Sequence, residues 1–102
     1  MLTIVAIVET SAEDIEAMKE AIAKMETASR AEDGCHDYTF CQEVSNPNVL
    51  RINELWESME ALQAHFATPH MAEFNQAMGA HPPKSMTLRL HELGEERQLP
   101  TG

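Results

Sequence analysis

The segment from Leu2 to Glu9 most constrains the fold, because nearly every residue in it is apolar or β-branched. Such a run is typical of a strand whose two faces are both covered by other structure. A chain of 102 residues falls within the size of one domain and buries little more than about 60% of the surface that its unfolded form exposes. The sequence therefore predicts a single domain in which this strand is covered on both faces.

The next segment has the spacing of a helix. Ser11 is placed to cap it, with Asp14 three residues later in a weak form of the capping box. The apolar residues that follow at helical spacing are Ile15, Met18, Ile22 and Met25. We expect one helix that ends before Gly34, because Glu32-Asp33-Gly34 has the composition of a turn.

The second half of the chain predicts a hairpin, two helices and a last strand. Residues 35–44 alternate as a strand, Ser-Asn-Pro-Asn at 45–48 forms a turn, and residues 49–56 return antiparallel. Ser58 is expected to cap a short helix, and Thr68 to cap a third helix that has Pro69 in its first position. Residues 85–93 alternate again as a fourth strand.

This order, βαββ(αα)β, predicts an α+β ferredoxin-like fold with a four-stranded antiparallel sheet. We assign residues 1–93 to the domain and residues 94–102 to a flexible C-terminal tail. The helices cover only one face of such a sheet. The other face would leave an apolar patch of several hundred Å² in water, which is large for a monomer. We therefore expect a homodimer in which a second copy covers this face.

Charge and composition exclude several classes of partner. Seventeen acidic residues against seven Lys and Arg give a net charge of −10, which repels nucleic acids and anionic membrane surfaces. No apolar run has the roughly 18 residues of a membrane span, and the start of the chain lacks the features of a signal peptide. We expect a cytoplasmic protein. Cys35 and Cys41 would lie roughly 20 Å apart along one strand, which excludes a disulfide between them.

Residues 54–74 read ELWESMEALQAHFATPHMAEF, and this block resembles the signature of the antibiotic biosynthesis monooxygenase family. The matching positions are Glu54, Trp56, Leu62, His65, Thr68, His70 and Phe74, together with Gly34 and Tyr38 ahead of the Asn-Pro turn. The resemblance implies a dimeric α+β barrel. It also implies an oxygenase that acts on quinols or phenols without metal or flavin, or, in another branch of the family, a haem-degrading enzyme.

Oxidation without a cofactor requires a base, a dry pocket and donors for the developing anion. A phenol or quinol that has lost its proton is electron-rich enough to pass an electron to O₂. We predict His65 as the base, with His70 as the second candidate, because imidazole titrates near neutral pH. Trp56 and Phe66 are predicted to line the pocket, which takes a small aromatic substrate and O₂.

Tyr38 and Asn53 are candidate donors to the substrate, although Asn53 falls on the opposite sheet face from Trp56. Glu54 shares the face of Trp56 and is expected to orient an imidazole or to pair with an arginine at the dimer interface, such as Arg51 or Arg89. Each candidate also has a structural interpretation. In particular, His65 could hold the helix break by bonding a backbone carbonyl, and Trp56 could simply fill the core.

The sequence predicts no cofactor. It contains no glycine-rich phosphate loop and no His-Glu-x-x-His or Cys-x-x-Cys pattern, so we expect no metal. The haem-degrading relatives have a histidine ligand where this chain has Asn75, which argues against haem. Two alternatives stay open beside the monooxygenase: a non-catalytic module that binds a small molecule, and another reaction on the same fold, such as an isomerase or a decarboxylase.

Overall fold

The computed structural model describes residues 1–100 as one four-stranded antiparallel sheet with all of its helices on one face. The strands are β1 (Leu2–Glu9), β2 (Cys35–Gln42), β3 (Val49–Trp56) and β4 (Ser85–Glu92). The helices are α1 (Ala12–Ala17), α2 (Lys19–Arg30), α3 (Met59–Phe66) and α4 (Pro69–Ala80). The sheet order β2-β3-β1-β4 is that of a ferredoxin-like fold, so the predicted fold class is confirmed.

The core lies between the sheet and the helices. Alternate residues of β1, from Leu2 to Val8, are buried on this side, where they meet the even-numbered residues of β3. Met25 of α2 and Phe74 of α4 close the layer from above. The strand predicted at residues 2–9 is confirmed. It pairs with β3 along one edge and with β4 along the other.

Three element boundaries differ from the prediction. The first predicted helix is broken at Met18, whose φ of −93° and ψ of 2° end α1 before α2 begins. The break turns α2 so that Met18 and Met25 both reach the core. β2 ends at Gln42, two residues earlier than predicted, and β4 ends at Glu92. The predicted tail falls partly outside the described residues, and residues 94–100 form no helix or strand.

The longest helices within residues 1–100, α2 and α4, have 12 residues each, and no helix in this range is long and apolar enough to cross a membrane.

Candidate functional site

The break between α3 and α4 fixes the two candidate histidines. Thr68 caps α4 as predicted: its Oγ1 accepts a hydrogen bond from the backbone N–H of Met71. The same hydroxyl donates to the backbone carbonyl of His65 at 2.7 Å. An N-cap of this kind contributes about 1 kcal/mol. As a result, His65 lies in the last turn of α3 and His70 in the first turn of α4, both directed towards the end of α2.

Glu32 joins the two imidazoles. Its Oε2 lies 2.6 Å from Nδ1 of His65 and 2.7 Å from Nε2 of His70. The carboxylate can only accept, so both rings donate N–H to the same oxygen. His65 is 1% exposed, and the side chains of Glu32 and His70 are 13% and 18% exposed. With Nδ1 of His65 donating, its Nε2 carries the free lone pair, and this atom has no hydrogen-bond partner within residues 1–100.

Gly34 makes this approach possible. Its φ of +80° lies in the left-handed region, which favours glycine. A Cβ at this position would lie 2.7 Å from Cβ of Ala61 on α3. The backbone carbonyl of Gly34 accepts a hydrogen bond from the backbone N–H of Glu57 at 2.8 Å, which holds the turn against the end of β3. The turn predicted at residues 32–34 therefore brings the end of α2 against α3 and carries Glu32 to His65.

Aromatic rings surround the imidazole of His65. The ring of Trp56 lies 4.8 Å from it and that of Tyr38 lies 5.2 Å from it, measured between centroids. Both rings are buried. The ring of Phe66 lies 5.7 Å from His65 but is 57% exposed, so within one chain only part of it faces the site.

Glu54 is the second buried carboxyl of the site. It lies on the same sheet face as Trp56, whose indole N–H donates to its Oε1 at 2.9 Å. Burial raises the pKa of Glu54, and nearby Glu32 adds to the rise, while the indole N–H and His65 act against it. The suggested pairing with Arg51 or Arg89 does not form within the chain. Arg51 pairs with Glu43, and both arginines fall on the opposite sheet face.

The raised pKa of Glu54 predicts a pH-dependent difference between the wild-type protein and Glu54→Gln. A carboxyl whose pKa is higher in the folded state favours folding below the pKa of the unfolded chain, and this advantage falls as pH rises towards the folded value. We expect the free energy of unfolding of the wild type, relative to Glu54→Gln, to decrease from pH 4 upwards. Urea titrations of both proteins at several pH values measure the difference between their free energies of unfolding. A difference that did not change with pH would contradict the burial effect.

Three other polar groups complete the description. Asn53 is exposed on the opposite sheet face, so the chain does not bring it to the histidines. Burial raises the pKa of the Cys35 thiol to about 11, with Glu32 and Glu54 contributing, which leaves it unreactive as a nucleophile. Ser29, one turn before Glu32 on α2, is fully buried, and its Oγ has no hydrogen-bond partner within residues 1–100.

Glu32, His65 and His70 are also a possible set of metal ligands, since one ligand atom of each lies within 4.8 Å of the others. A tetrahedral ion with bonds of about 2.0–2.1 Å separates its ligand atoms by roughly 3.3 Å. Here the shared oxygen lies 2.6 and 2.7 Å from the two nitrogens, which are hydrogen-bond distances. These distances fit hydrogen bonds better than they fit the coordination of a metal ion.

A small cavity opens beside His70, between α2 and α4. Its volume is about 90 Å³, and its lining includes Met25, Phe74 and His70. Pockets for small molecules usually measure roughly 300–1,000 Å³. The space around the imidazole of His65 is filled by the rings of Trp56 and Tyr38.

Sequence reasoning found the two histidines, the tryptophan and the tyrosine of this cluster but missed Glu32. That residue was interpreted only as part of a turn. The available signal was an acidic residue next to a glycine at the end of a helix, and it is weak in a chain with seventeen acidic residues. The predicted bond between the His65 ring and a backbone carbonyl is replaced by the bond to Glu32.

Comparison with known proteins gives one family. The model of the family named antibiotic biosynthesis monooxygenase matches residues 1–77. A probable quinol monooxygenase of Escherichia coli, YgiN, is 30% identical over 88 residues, which cover 76% of this chain and 85% of that protein. An uncharacterized protein of Synechocystis is 30% identical over 71 residues; the match covers 70% of this chain but about half (48%) of that protein's length.

Solved structures agree on the fold. A protein of Deinococcus radiodurans that carries the same family name superposes with a TM-score of 0.89 at 24% identity, over 99% of this chain and all of that one. A protein of Mycobacterium tuberculosis gives a TM-score of 0.82 at 22% identity, over 95% and 98% of the two chains. At these identities the structures are evidence for the fold alone.

Proposed function

The chain belongs to the antibiotic biosynthesis monooxygenase family, and we propose that it oxidises quinols or related electron-rich phenols with O₂, without metal, flavin or haem. The observation that carries the proposal is the state of His65. One ring nitrogen is held by Glu32 at 2.6 Å, the other is free, and the ring lies among aromatic side chains. A neutral imidazole oriented by a carboxylate is the arrangement of an effective general base.

The reaction would begin when Nε2 of His65 takes the proton of a phenolic hydroxyl. The imidazolium that forms keeps its Nδ1–H bond to Glu32, which stabilises the new charge. The phenolate passes one electron to O₂, and superoxide then bonds to a ring carbon that carries hydrogen, giving a peroxide anion. His65 returns its proton to this peroxide. The ring carbon loses its hydrogen as the O–O bond breaks, and water leaves.

The balance is one quinol and one O₂ giving one hydroxyquinone and one water. The quinol supplies all four electrons, so no outside reductant is needed. The charges of the site fit a neutral substrate, because within residues 1–100 no Lys or Arg side chain forms an ion pair with Glu32 or Glu54. The buried, unpartnered hydroxyl of Ser29 is a further polar group that a bound molecule could satisfy.

Oxygen uptake with a panel of hydroquinones tests the proposal. The protein is treated with a chelator and dialysed, and O₂ consumption and the hydroxyquinone product are measured together. Uptake of one O₂ per quinol, unchanged by chelation, supports it. Binding of the quinol without O₂ uptake would point instead to a binding module, and loss of turnover on chelation would point to a metal enzyme.

We also propose that the protein works as a homodimer. On the face of the sheet without helices, the partly buried apolar residues Val5, Ile7 and Leu55 alternate with polar neighbours, which are Arg51, Asn53 and Arg89. β4 adds a second apolar stripe, which lies on the helix side but beyond the reach of the helices: Met86, Leu88 and Leu90 are 41%, 58% and 45% exposed. A second copy is the occupant that fits a surface of this size.

Light scattering of the wild type should give about twice 11.4 kDa. Leu88→Glu should shift the mass towards that of the monomer, because it places a charge in the middle of the exposed apolar stripe of β4. Val44→Glu is the control, since Val44 lies fully exposed in the β2–β3 turn. A monomeric wild type, or a Leu88→Glu variant that stays fully dimeric, would refute this interface.

A further inference from the structure

We infer that Glu54 is a neutral carboxylic acid in the folded protein and that Glu54 and Tyr38 together form a pair of O–H donors that binds a second oxygen atom of the substrate. The inference rests on the proposed function and narrows it. The favoured substrates are then aromatic molecules with two oxygen substituents, such as hydroquinones, rather than simple phenols.

The two residues are neighbours across the sheet. Tyr38 of β2 pairs directly with Glu54 of β3 in the strand register, so their side chains leave the same face. Side chains at directly opposed positions are close enough to act together. This is the helix-covered face, and the two residues are only 3% and 7% exposed. The Tyr38 ring lies 5.2 Å from that of His65, which places the pair beside the proposed base.

The surroundings of Glu54 do not stabilise a negative charge on its carboxyl group. The one hydrogen bond of its carboxyl group within residues 1–100 is accepted from the indole N–H of Trp56, and no Lys or Arg side chain of this range forms an ion pair with it. A buried carboxylate without a cation is unfavourable, and such a group usually takes up a proton instead.

The neighbours of Glu54 act in both directions, and burial is the largest effect. Burial raises the pKa of Glu54 and the carboxylate of Glu32, in the turn after α2, adds to the rise, whereas the indole of Trp56 and His65 on α3 lower it. The Tyr38 hydroxyl on β2 is itself held protonated, because burial and the carboxylate of Glu32 raise its pKa. His70 on α4 lies beyond Glu32, to which it donates.

The hydrogen bond from Trp56 also decides which oxygen carries the proton. Oε1 accepts the indole N–H at 2.9 Å, so the O–H of the neutral acid is placed on Oε2. The side-chain hydroxyl of Tyr38 forms no hydrogen bond within residues 1–100; Arg30 donates to the backbone carbonyl of Tyr38 instead. The site therefore offers two O–H donors from directly opposed positions of β2 and β3. A tyrosine and a neutral carboxylic acid in this arrangement stabilise an oxyanion effectively.

The chemical consequence concerns the second oxygen. As the quinol is oxidised to the hydroxyquinone, its second hydroxyl oxygen becomes a carbonyl oxygen, and the proton of that hydroxyl passes through solvent to the oxygen added to the ring. A carbonyl oxygen accepts hydrogen bonds better than a hydroxyl oxygen does, so two donors there bind the reacting molecule more strongly as oxidation proceeds, which is when a hydrogen bond contributes most to the rate. A simple phenol has no oxygen there and loses this contribution.

A measurement on the protein without substrate tests the protonation of Glu54. With ¹³C at the side-chain carboxyl carbon of glutamate, the NMR signal of a protonated carboxyl group should persist at neutral pH and should be missing in Glu54→Gln. Glu60→Gln, a change at an exposed glutamate of α3, is the control and should leave that signal in place. If every glutamate is ionised at neutral pH, the inference is wrong whatever the activity.

Binding and turnover then test the donor pair. 1,4-Naphthoquinone serves as a probe that accepts hydrogen bonds but is not oxidised, and its binding is followed by the fluorescence of Trp56, the single tryptophan. Tyr38→Phe and Glu54→Leu should each weaken binding by about tenfold, whereas Glu54→Gln, which keeps a neutral donor, should bind nearly as the wild type does. Unchanged binding in both Tyr38→Phe and Glu54→Leu would overturn the inference.

Turnover of 1,4-dihydroxynaphthalene separates the two proposals. If the wild type oxidises it, Glu54→Leu should lower kcat by roughly 10²-fold, the usual effect of losing one such donor. Wild-type turnover should also decline at high pH as Glu54 loses its proton, and Glu54→Gln should lack this decline. If the wild type binds the naphthoquinone through the pair but oxidises no quinol, the proposed function fails while the donor pair stands.

Discussion

Replacing His65 by asparagine should lower the turnover of 1,4-dihydroxynaphthalene by roughly 10²–10⁴-fold, the usual contribution of general acid–base catalysis. The side-chain amide of asparagine can still donate to Glu32, as Nδ1 of His65 does at 2.6 Å. It has no counterpart of the free Nε2 atom, so only the proposed base is lost.

His65→Ala is a less informative variant than His65→Asn. The ring of His65 is 1% exposed and packs against Trp56 and Tyr38. Alanine would leave a cavity and remove one of the two donors to Glu32, with an expected loss of about 2–4 kcal/mol of stability. Turnover must therefore be expressed per folded molecule, with the folded fraction taken from circular dichroism.

His81→Ala provides the matched control. His81 also contacts a carboxylate, with its Nδ1 3.1 Å from Oδ1 of Asp14, but it lies at the far end of α4 from His70. This variant should keep wild-type turnover. If His65→Asn also kept wild-type turnover, the catalytic assignment of His65 would be wrong and His70 would become the candidate base.

Most of the fold could be predicted from local sequence patterns. The bounds of β1 and β3 follow directly from their apolar and alternating residues, and the caps at Ser11, Ser58 and Thr68 form as their side chains predict. The helix break at Met18 could not be predicted from such patterns. The helical spacing of apolar residues continues through it, and the break depends on how two short helices pack on the sheet.

The site was less predictable because its key contact is tertiary. Glu32 lies 33 residues from His65 and 38 from His70 along the chain, and no local pattern links them. Strand alternation correctly placed Glu54 beside Trp56. The same alternation, once the strand register is known, puts Arg51 and Arg89 on the other face and leaves Glu54 without a cation.

Glu32→Gln is the second variant for which we expect a large effect. The amide oxygen can still accept N–H from His65 and His70, so the shape of the cluster is kept while its negative charge is lost. The imidazolium formed on His65 would then lack its counter-charge. Neutralising the carboxylate that orients a catalytic histidine lowers kcat by up to about 10⁴-fold in a comparable catalytic arrangement, and we expect a loss of roughly 10²-fold or more here.

The loss should appear in kcat rather than in KM, because the charge acts when the imidazolium forms and not when the neutral substrate binds. Glu73→Gln is the control, since Glu73 pairs with Lys24 on the exposed side of α4 and should keep wild-type kinetics. A double variant, Glu32→Gln with His65→Asn, should be little slower than His65→Asn alone, because the carboxylate acts through the imidazole. If the fold-losses in turnover of the two single variants multiplied in the double variant, Glu32 would instead contribute to turnover by a route that does not pass through His65.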